Sequence, residues 1–595
     1  MTTSNTRNLS IVAHIDHGKT TLTDRMMVAT NTITPRQFHD RLLDSNPIEQ
    51  ERGITIKLAP VTMTYTLDAR AYTINLIDTP GHVDFGYEVE RSLAAGEGAV
   101  LLIDATQGIQ AQTLTNYEKA RRLGLKIIPV LNKIDLPAAD LDAVSLDIIE
   151  SFGLPEADIL RISAKTGQGV LELFQAIITR IPPPAANTDK PTRALVFNST
   201  YHPHKGAIAF VKVDGGAINP RELTLLASGL QFNPLEIGIF TPELTPTNSL
   251  PTGAVGYVAT GLKNVSEIKI GDTLTTHPKP TGILPLAGYQ DPQPMVYLDL
   301  FPVDAVNFPL LEEGIEKLAL NDASLDYTLS TSQALGKGFR IGFLGALHAE
   351  IVIERLNREH NLDLIPTAPT VVYQVTNTRG ETFEVKTPSD LPDPSLITAI
   401  KEPVARVTIF TPEDYLGGIM TLVSENRGQF INQSHLGHAV RLEYLIPMAE
   451  LIVNFYDQLK SASSGYASLE YQLFDYQQVD AVKLNILINH QLVEALSQIV
   501  VRSKARHLGK HIVAKLKDAI PRQLFVIPIQ AAVGGDIIAR ETITAYRKDV
   551  TAKLYGGDRT RRMKLLEKQK KGKKRRAQFA NVEIPQEAFL AVLKQ

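Results

Sequence analysis

The segment that most constrains the fold of this chain lies close to the N-terminus. The residues Ala13-His14-Ile15-Asp16-His17-Gly18-Lys19-Thr20 stand between an apolar run, Leu9–Ile15, and a helical pattern, Lys19–Ala29. A loop of this spacing between a strand and a helix directs backbone N–H groups and a helix N-terminus at phosphate groups. The pattern predicts a nucleotide-binding α/β domain in which Lys19 reaches the phosphates and the Thr20 hydroxyl binds magnesium.

Three further motifs follow strand-like runs and predict which nucleotide is bound. In Asp78-Thr79-Pro80-Gly81-His82, the carboxylate of Asp78 suits a water-mediated magnesium contact, and Gly81 offers its N–H to the γ-phosphate. Asp135, in Asn132-Lys133-Ile134-Asp135, can accept hydrogen bonds from guanine N1–H and the 2-amino group. Adenine has no 2-amino group, so a buried Asp135 would be left unsatisfied by ATP.

A backbone N–H in Ser163-Ala164-Lys165 is expected to read guanine O6, which completes a GTP site. The residues expected to contact GTP are Asp16, His17, Gly18, Lys19, Thr20, Thr21, Asp78, Gly81, Asn132, Lys133, Ile134, Asp135, Ser163, Ala164 and Lys165.

Length and composition indicate a multidomain globular chain. Its 595 residues exceed what one core accommodates, and hydrophobic residues at 44% are ordinary for a globular protein. The sequence contains no cysteine, which excludes disulfides, thiolate metal sites and a cysteine nucleophile. The polar first residues and the lack of a long apolar run predict neither a signal peptide nor a membrane span, so we expect a cytoplasmic protein.

The order of elements predicts five domains of α/β and α+β class. Alternating strands and helices in residues 1–184 predict a parallel sheet, and short β-branched runs in residues 190–284 predict a β-barrel. Residues 293–375 and 400–480 each read β-α-β-β-α-β, the ferredoxin-like order. Residues 481–595 form a basic C-terminal domain whose fold the pattern does not assign.

Two details of the ferredoxin-like units are specific enough to be tested. We expect the fourth strand of the first unit at Pro369–Val375, where apolar β-branched residues cluster. In the second unit we expect one uninterrupted helix at Ala449–Leu459.

The sequence Arg52-Gly53-Ile54-Thr55-Ile56, together with the phosphate loop and the Asp78 motif, resembles the translational GTPases, the family of elongation factors Tu and G. The resemblance implies that Thr55 ligates magnesium in the GTP state and that His82 is catalytic, orienting the attacking water. It also implies that Ile15 and Ile54 form an apolar gate beside His82.

The C-terminal half narrows the resemblance to the LepA family, also called elongation factor 4. The 28 residues from Asp135 to Ser163 leave no room for the insertion of elongation factor G, and elongation factor Tu lacks the ferredoxin-like units. The segments that look like LepA begin at Gly338, Thr367, Gly465, Ile520, Tyr555 and Asn581.

The LepA resemblance implies a ribosome-dependent GTPase that uses GTP and Mg²⁺ and is proposed to move tRNAs one codon backwards. The implied partners are the ribosome, through rRNA and ribosomal proteins, and tRNA. We expect no obligate oligomer and a bacterial cytoplasmic location, and we leave open peripheral association with the cytoplasmic face of the membrane.

Charge is concentrated near the C-terminus and suggests an RNA contact. Residues 547–576 contain 14 Lys and Arg against three acids, which gives this segment +11 and the rest of the chain −14. Such a segment suits RNA phosphates, although a solvated basic tail without a target has the same composition.

Three other functions stay open or are disfavoured at this stage. A BipA/TypA-type GTPase has the same domain set, but the Tyr555 and Asn581 segments argue against it. A ribosome-assembly factor switched by GTP would use the same GTP site and RNA contact. A metabolic GTPase without an RNA partner is disfavoured by the basic segment.

Overall fold

The computed structural model describes residues 3–34, 36, 41–44, 46–263, 267–286, 294–320, 322, 324–332, 335–436, 439–546, 559–560, 563–569 and 584–593. It confirms the multidomain α/β and α+β class expected from the sequence, with five sheet-based parts in chain order. None of the helices formed by these residues is long and apolar enough to cross a membrane.

The N-terminal part is a six-stranded sheet with helices on both faces. Its strands are β1 (Thr6–Ala13), β2 (Ala59–Leu67), β3 (Arg70–Asp78), β4 (Gly98–Asp104), β5 (Lys126–Asn132) and β6 (Leu160–Arg161). Its helices are α1 (Lys19–Ala29), α2 (Pro47–Arg52), α3 (Gly86–Ala94), α4 (Ala111–Arg122), α5 (Leu141–Phe152) and α6 (Val170–Arg180). Only β2 runs antiparallel to its neighbour, and the sheet order is β2-β3-β1-β4-β5-β6.

This order brings the carboxyl ends of β1, β3, β4 and β5 to one edge of the sheet, where ligands of parallel sheets bind. The predicted strand Leu9–Ile15 was too long, because β1 ends at Ala13 and the next residues form the phosphate loop. The predicted helix Lys19–Ala29 is confirmed as α1.

The second part is an antiparallel β domain around one apolar cluster. Its strands are β7 (Arg193–His202), β8 (Gly206–Gly215), β9 (Ala217–Ile218), β10 (Leu223–Leu225), β11 (Gln231–Phe232), β12 (Glu236–Phe240), β13 (Leu244–Pro246), β14 (Leu250–Pro251), β15 (Val255–Ala259) and β16 (Thr273–Thr276). Eight of them pair in the order β11-β10-β16-β7-β8-β15-β12-β13.

The third part has the ferredoxin-like order. It consists of β17 (Val296–Pro302), α7 (Phe308–Ala319), β18 (Asp326–Ser332), β19 (Gly336–Phe343), α8 (Ala346–His360) and β20 (Leu364–Pro366). The sheet order β18-β19-β17-β20 places the first and third strands side by side in the centre, as this fold requires.

The fourth strand of this unit was predicted at the wrong place. The structure forms it from Leu364–Pro366, whereas Tyr373–Asn377 pairs with the next sheet. Thr370 makes only an isolated bridge to Tyr297. An apolar β-branched run has the same pattern in either sheet, so its partner cannot be read from the run itself.

The fourth part is a second ferredoxin-like unit with a hairpin added at its edge. It consists of β21 (Tyr373–Asn377), β22 (Thr382–Val385), β23 (Ile397–Pro412), α9 (Leu416–Glu425), β24 (Gln429–Leu436), β25 (Ala439–Pro447), α10 (Met448–Leu451), α11 (Phe455–Ala462) and β26 (Ser468–Gln478). The single helix predicted at Ala449–Leu459 is wrong. Asn454, with φ of 54°, separates α10 from α11, because a left-handed residue cannot continue a right-handed helix.

The C-terminal part, whose fold the sequence left unassigned, is an antiparallel sheet covered by two helices. It consists of β27 (Ala481–Ile488), β28 (Gln491–Leu492), β29 (Gln498–Val501), α12 (Arg502–Ala519), β30 (Ile527–Val533), β31 (Asp536–Ile543) and α13 (Gln586–Leu593). Ile512, Val513 and Leu516 of α12 pack on the sheet, and Ala588, Phe589 and Val592 of α13 are buried in the same cluster.

Candidate functional site

The phosphate loop has the backbone shape that its sequence predicts. Gly18 has φ of 95° and immediately precedes α1, so the loop enters the helix through a left-handed residue. A Cβ at Gly18 would lie 2.6 Å from Nδ2 of Asn132. The close approach of the loop to β5 therefore requires glycine at this position.

A cavity lies between this loop and the segments that precede β2 and follow β3. It is lined by Ile15, Asp16, Gly18, Lys19, Thr20, Thr21, Arg41, Gly53, Ile54, Thr55, Gly81, His82 and Lys133. The structure thus brings together most of the residues expected at the phosphate end, although they come from five separate stretches of sequence.

Lys19 is held at the base of the cavity. Its Nζ donates to the carbonyl oxygens of Ala13 at 3.2 Å and His14 at 2.9 Å. Burial lowers the pKa of Lys19 to about 8, and the nearby Asp78 carboxylate opposes that shift. A Cβ at Gly81 would lie 2.5 Å from Nζ, so the backbone at Gly81 lies directly beside the ammonium.

Thr20 and Thr55 meet at one edge of the cavity. Their hydroxyl oxygens lie 3.0 Å apart, and the Thr55 hydroxyl donates to Oδ1 of Asp44 at 3.0 Å. Burial raises the pKa of Asp44 to about 6 and that of Asp78 to about 7. Two hydroxyls and two buried carboxyl groups therefore share a small volume at this edge of the cavity.

The residues expected to read the base are brought together through Asn132. Its Nδ2 donates to the carbonyl oxygen of His17 at 2.9 Å, and its Oδ1 accepts the N–H of Ala164 at 2.9 Å. The N–H of Ile134 donates to the carbonyl oxygen of Ile162 at 3.4 Å, and Ser163 is buried beside these groups. Asn132 thus joins the phosphate loop to the segment from Ser163 to Lys165.

Lys133 lies between the phosphate loop and β4. Its Nζ donates to the carbonyl oxygen of Asp16 at 2.7 Å and lies 2.6 Å from Oδ2 of Asp104. Lys165 is exposed, and its carbonyl oxygen accepts a hydrogen bond from Arg25.

One expectation about side-chain placement needs correction. The argument from adenine assumed a buried Asp135, but Asp135 is exposed in the loop after β5. The ring of His17 is buried away from the cavity, where Nδ1 accepts the N–H of Asp104 at 3.2 Å. His17 therefore faces the nucleotide site through its backbone.

His82 lines the cavity together with Ile15 and Ile54. Its side chain is 14% exposed, and Nδ1 accepts the N–H of Asp84 at 3.2 Å. Burial lowers the pKa of His82, partly opposed by the Asp84 carboxylate. The ring is therefore neutral near pH 7, and its proton resides on Nε2 because Nδ1 is the acceptor.

The sequence argument missed Arg41, Asp44 and Glu49. Glu49 Oε1 accepts the N–H groups of Ile56 at 2.8 Å and Lys57 at 3.2 Å. These hydrogen bonds fix the segment that carries Thr55. Asn46 and Glu49 have the spacing of a helix capping box, a signal that was available in the sequence. Arg41 and Asp44 lie in no recognisable motif.

A second surface, on α12, carries positive charge. Arg502, Arg506 and Lys510 are exposed and recur every four residues, so they lie on one face of the helix. Within the described part of the chain, Arg506 and Lys510 form no salt bridge, whereas Arg502 pairs with Asp480 at 3.0 Å. We refer to Arg502, Arg506 and Lys510 as the α12 basic face.

The basic segment itself is only partly described. Arg559, Lys564 and Lys568 are exposed in it, and residues 563–569 are helical. The positions expected to contact RNA at 553, 561, 562, 570, 571 and 573–576 lie outside the described residues.

Comparison with known protein families finds three matches. Residues 4–183 match the elongation factor Tu GTP binding domain, residues 399–487 match the elongation factor G C-terminus, and residues 488–594 match the GTP-binding protein LepA C-terminus. The last match favours LepA over the BipA/TypA alternative.

A solved structure shares the fold. A crystal structure of a protein from Thermus thermophilus is similar with a TM-score of 0.59 at 17% sequence identity, covering 80% of this chain and 97% of that chain. At this identity the likeness concerns the fold alone.

Proposed function

Because this chain belongs to the translational GTPases and is of the LepA type, a GTP-hydrolysing enzyme, we propose that it moves tRNAs one codon backwards on the bacterial ribosome. Hydrolysis takes place at the cavity between the phosphate loop and His82, and the C-terminal domain contacts RNA. The observation that carries the proposal is the fusion of this GTP site to a LepA-type C-terminal domain with an exposed basic face.

GTP is held by the phosphate loop and by the segments that follow β5 and β6. The loop from Asp16 to Thr21 and the ammonium of Lys19 bind the phosphates. Asn132 holds the base-reading segments against the loop, and Asp135 pairs with the guanine edge. Exclusion of ATP then depends on the closure of these segments over the base rather than on prior burial of Asp135.

The oxygen-rich edge of the cavity fits a magnesium ion. Thr20 and Thr55 would hold it directly, since two adjacent ligands of an octahedral Mg²⁺ lie about 3 Å apart, and Asp78 would act through water. The ion supplies positive charge to the β- and γ-phosphate oxygens. The burial of the Asp44 and Asp78 carboxyl groups supports this assignment, because a cation at this edge would stabilise their ionised forms.

His82 orients the attacking water. Its neutral ring carries a proton on Nε2, which makes it a hydrogen-bond donor to a water oxygen rather than a base. Ile15 and Ile54 flank the ring and exclude other water from the γ-phosphate. The rate of GTP hydrolysis then depends on how firmly the His82 ring is held, because protein groups contribute to phosphoryl transfer mainly by positioning the reactants.

The α12 basic face contacts RNA phosphates by charge and shape rather than by stacking, since α12 contains no Phe or Tyr and the chain has no Trp. We place the protein in the bacterial cytoplasm, where ribosomes are. The exposed basic residues of the tail extend the same contact.

The RNA contact is tested by neutralising charge and not by deletion. A truncation before Tyr555 would also remove α13, whose Ala588, Phe589 and Val592 are buried, and would damage the core of the domain. The double variant Arg506→Gln/Lys510→Gln leaves the buried face of α12 intact. Its matched control is Lys317→Gln/Lys337→Gln, two exposed lysines of the first ferredoxin-like unit.

The double variant should weaken ribosome binding and reduce the salt dependence by about two units of log–log slope, one for each phosphate contact. It should also reduce the fraction of ribosomes whose tRNAs shift backwards, followed by fluorescence from labelled tRNA. An unchanged slope and unchanged tRNA movement, equal to those of the control, would remove α12 from the function. Binding to immature small subunits in preference to complete ribosomes would favour the assembly-factor alternative.

A further inference from the structure

Asp84 lies two residues after His82, and its carboxylate reaches two other parts of the molecule. Oδ2 accepts the N–H groups of Leu347 at 3.0 Å and His348 at 3.2 Å, both in the first turn of α8. Oδ1 accepts the hydroxyl of Tyr471, on β26, at 3.3 Å. The side chain of Asp84 is only 3% exposed, so these donors replace its water.

The helix α8 has no cap of its own. The residue before it is Gly345, which has no side chain to accept the free N–H groups of the first turn. Asp84 accepts those N–H groups instead and so acts as an N-cap supplied by another domain. A Cβ at Gly345 would clash with the Asp84 carboxyl group, so glycine is required for this approach.

Asp84 is also bound to the ring of His82. The N–H of Asp84 donates to Nδ1 of His82, and His82 thereby caps the short 3₁₀ turn Val83–Phe85. The ring of His82 also lies edge-on to Tyr456 of α11, with ring centres 6.1 Å apart. Contacts that hold the backbone of Asp84 in place therefore also hold Nδ1, the acceptor nitrogen of the His82 ring.

We propose that Asp84 is a positioning residue for His82, through which the docking of α8 and β26 sets the rate of GTP hydrolysis. The proposal rests on the role proposed for His82 above. The three donors to the Asp84 carboxylate come from both ferredoxin-like units, so the turn Val83–Phe85 is held only while both units are docked. If a large partner moved either unit, the buried Asp84 carboxylate would lose some of its hydrogen-bond donors. The ring of His82 would then no longer be held in place.

A second contact between α8 and the GTP-binding domain provides a matched control. Arg358 lies 2.8 Å from Glu51 Oε2, and both side chains are exposed. Glu51→Gln removes one carboxylate from the contact with the same helix without touching Asp84 or His82, and an exposed ion pair contributes little to docking. Any effect that comes from loss of a carboxylate at this interface alone should therefore appear in Glu51→Gln as well.

The first measurement compares Asp84→Asn with Glu51→Gln in ribosome-stimulated GTP hydrolysis. The asparagine keeps the shape of the side chain but loses its charge. We expect kcat to fall about 10- to 100-fold, with KM for GTP changed by less than about twofold, because the ring is displaced and the binding groups are not. Glu51→Gln should keep both values within about twofold of those of the unaltered protein. Equal losses in the two variants, or an unchanged kcat in Asp84→Asn, would overturn the proposal.

The second measurement repeats Asp84→Asn in a His82→Ala background. The loss should disappear there, because Asp84 acts only through the imidazole. If Asp84→Asn lowers kcat equally in both backgrounds, Asp84 does not act through His82. That result would overturn the positioning role of Asp84 but not the catalytic role of His82. Full activity of His82→Ala would overturn the catalytic assignment and the inference with it.

Tyr471→Phe keeps the proposal testable if Asp84→Asn does not fold. It removes one hydroxyl from β26 and leaves the GTP-binding domain unaltered. We expect kcat to fall about threefold or more without a change in KM. Where Asp84→Asn folds, Tyr471→Phe should have a smaller effect in that background than alone. Full additivity of the two substitutions, or no effect of Tyr471→Phe, would contradict a shared route through Asp84.

Discussion

The hydroxyl oxygens of Thr20 and Thr55 lie 3.0 Å apart, although 35 positions separate them in the sequence. Thr20 lies in the first turn of α1, and Thr55 is held by its hydrogen bond to Asp44 and by the bond from the N–H of Ile56 to the Glu49 side chain. The protein thus presents two adjacent hydroxyl groups at one edge of the cavity.

We expect Thr55→Val, which keeps the side-chain shape, to raise the Mg²⁺ concentration that half-saturates GTP hydrolysis by about tenfold or more. The reason is the loss of one of two direct oxygen ligands. Affinity for GDP should change little, because Thr55 contributes in the GTP state. Thr64→Val, at an exposed position on β2, is the control, and titration of hydrolysis with Mg²⁺ is the measurement. The same Mg²⁺ dependence in both variants would refute a ligand role for Thr55.

His82→Ala should retain GTP and ribosome binding but lose ribosome-stimulated hydrolysis by roughly 10³-fold, as expected when a group that completes a GTPase site is removed. The group acts on the transition state more than on bound substrate, so kcat should fall while KM stays close to its original value. His204→Ala, exposed in the loop between β7 and β8, controls for removal of an imidazole. Normal stimulated turnover in His82→Ala would show that this histidine is not catalytic.

Asp135→Asn should shift preference from GTP towards xanthosine triphosphate. An amide presents both a carbonyl and an NH₂ group, which match a base that bears a 2-oxo group in place of the 2-amino group. Asp142→Asn, exposed on α5, is the matched control. Competition between the two nucleotides measures the shift, and unchanged selectivity in Asp135→Asn would show that another residue reads the base.

Glu470 on β26 makes stability depend on pH. Burial raises the pKa of Glu470 from 4.5 to about 7, partly opposed by Lys119. The folded state therefore holds this proton more tightly than the unfolded state, and stability contributed by the protonated form is lost as pH rises from about 4.5 to 7. One pKa unit corresponds to about 1.4 kcal/mol, so the loss is on the order of 3 kcal/mol.

The glutamine in Glu470→Gln stays neutral at every pH, so this variant should not lose stability as the pH rises. Its melting temperature relative to the unaltered protein should rise between pH 5 and pH 8, whereas Glu118→Gln, exposed on α4, should show no such trend. Parallel pH dependence for Glu470→Gln and the unaltered protein would contradict a buried, protonated Glu470.

Local chemistry could be predicted from the sequence, and long-range partners could not. The phosphate loop and the helix Lys19–Ala29 that follows it could be predicted because loop spacing and helical patterns are local signals. The hydrogen bond from the N–H of Leu347, on α8, to Asp84 joins residues more than 260 positions apart, and no sequence pattern near either residue predicts it. For the same reason the predicted strand Pro369–Val375 was assigned to the wrong sheet.

The fold of the C-terminal part could not be predicted because charged residues obscure its helical pattern. In α12 the apolar positions Ala505, Ile512, Val513 and Leu516 have helical spacing, but eight cationic or histidine side chains among them obscure the pattern. The exposure of Asp135 is set by the conformation of the loop after β5, which sequence patterns do not specify.

GTP turnover by the full chain, measured with and without complete ribosomes stalled before or after translocation, tests the central claim most directly. We predict slow turnover alone, strong stimulation by ribosomes stalled after translocation, and a backward shift of the tRNAs by one codon. Turnover that is the same with and without ribosomes, or stimulation without any movement of the tRNAs, would contradict the account.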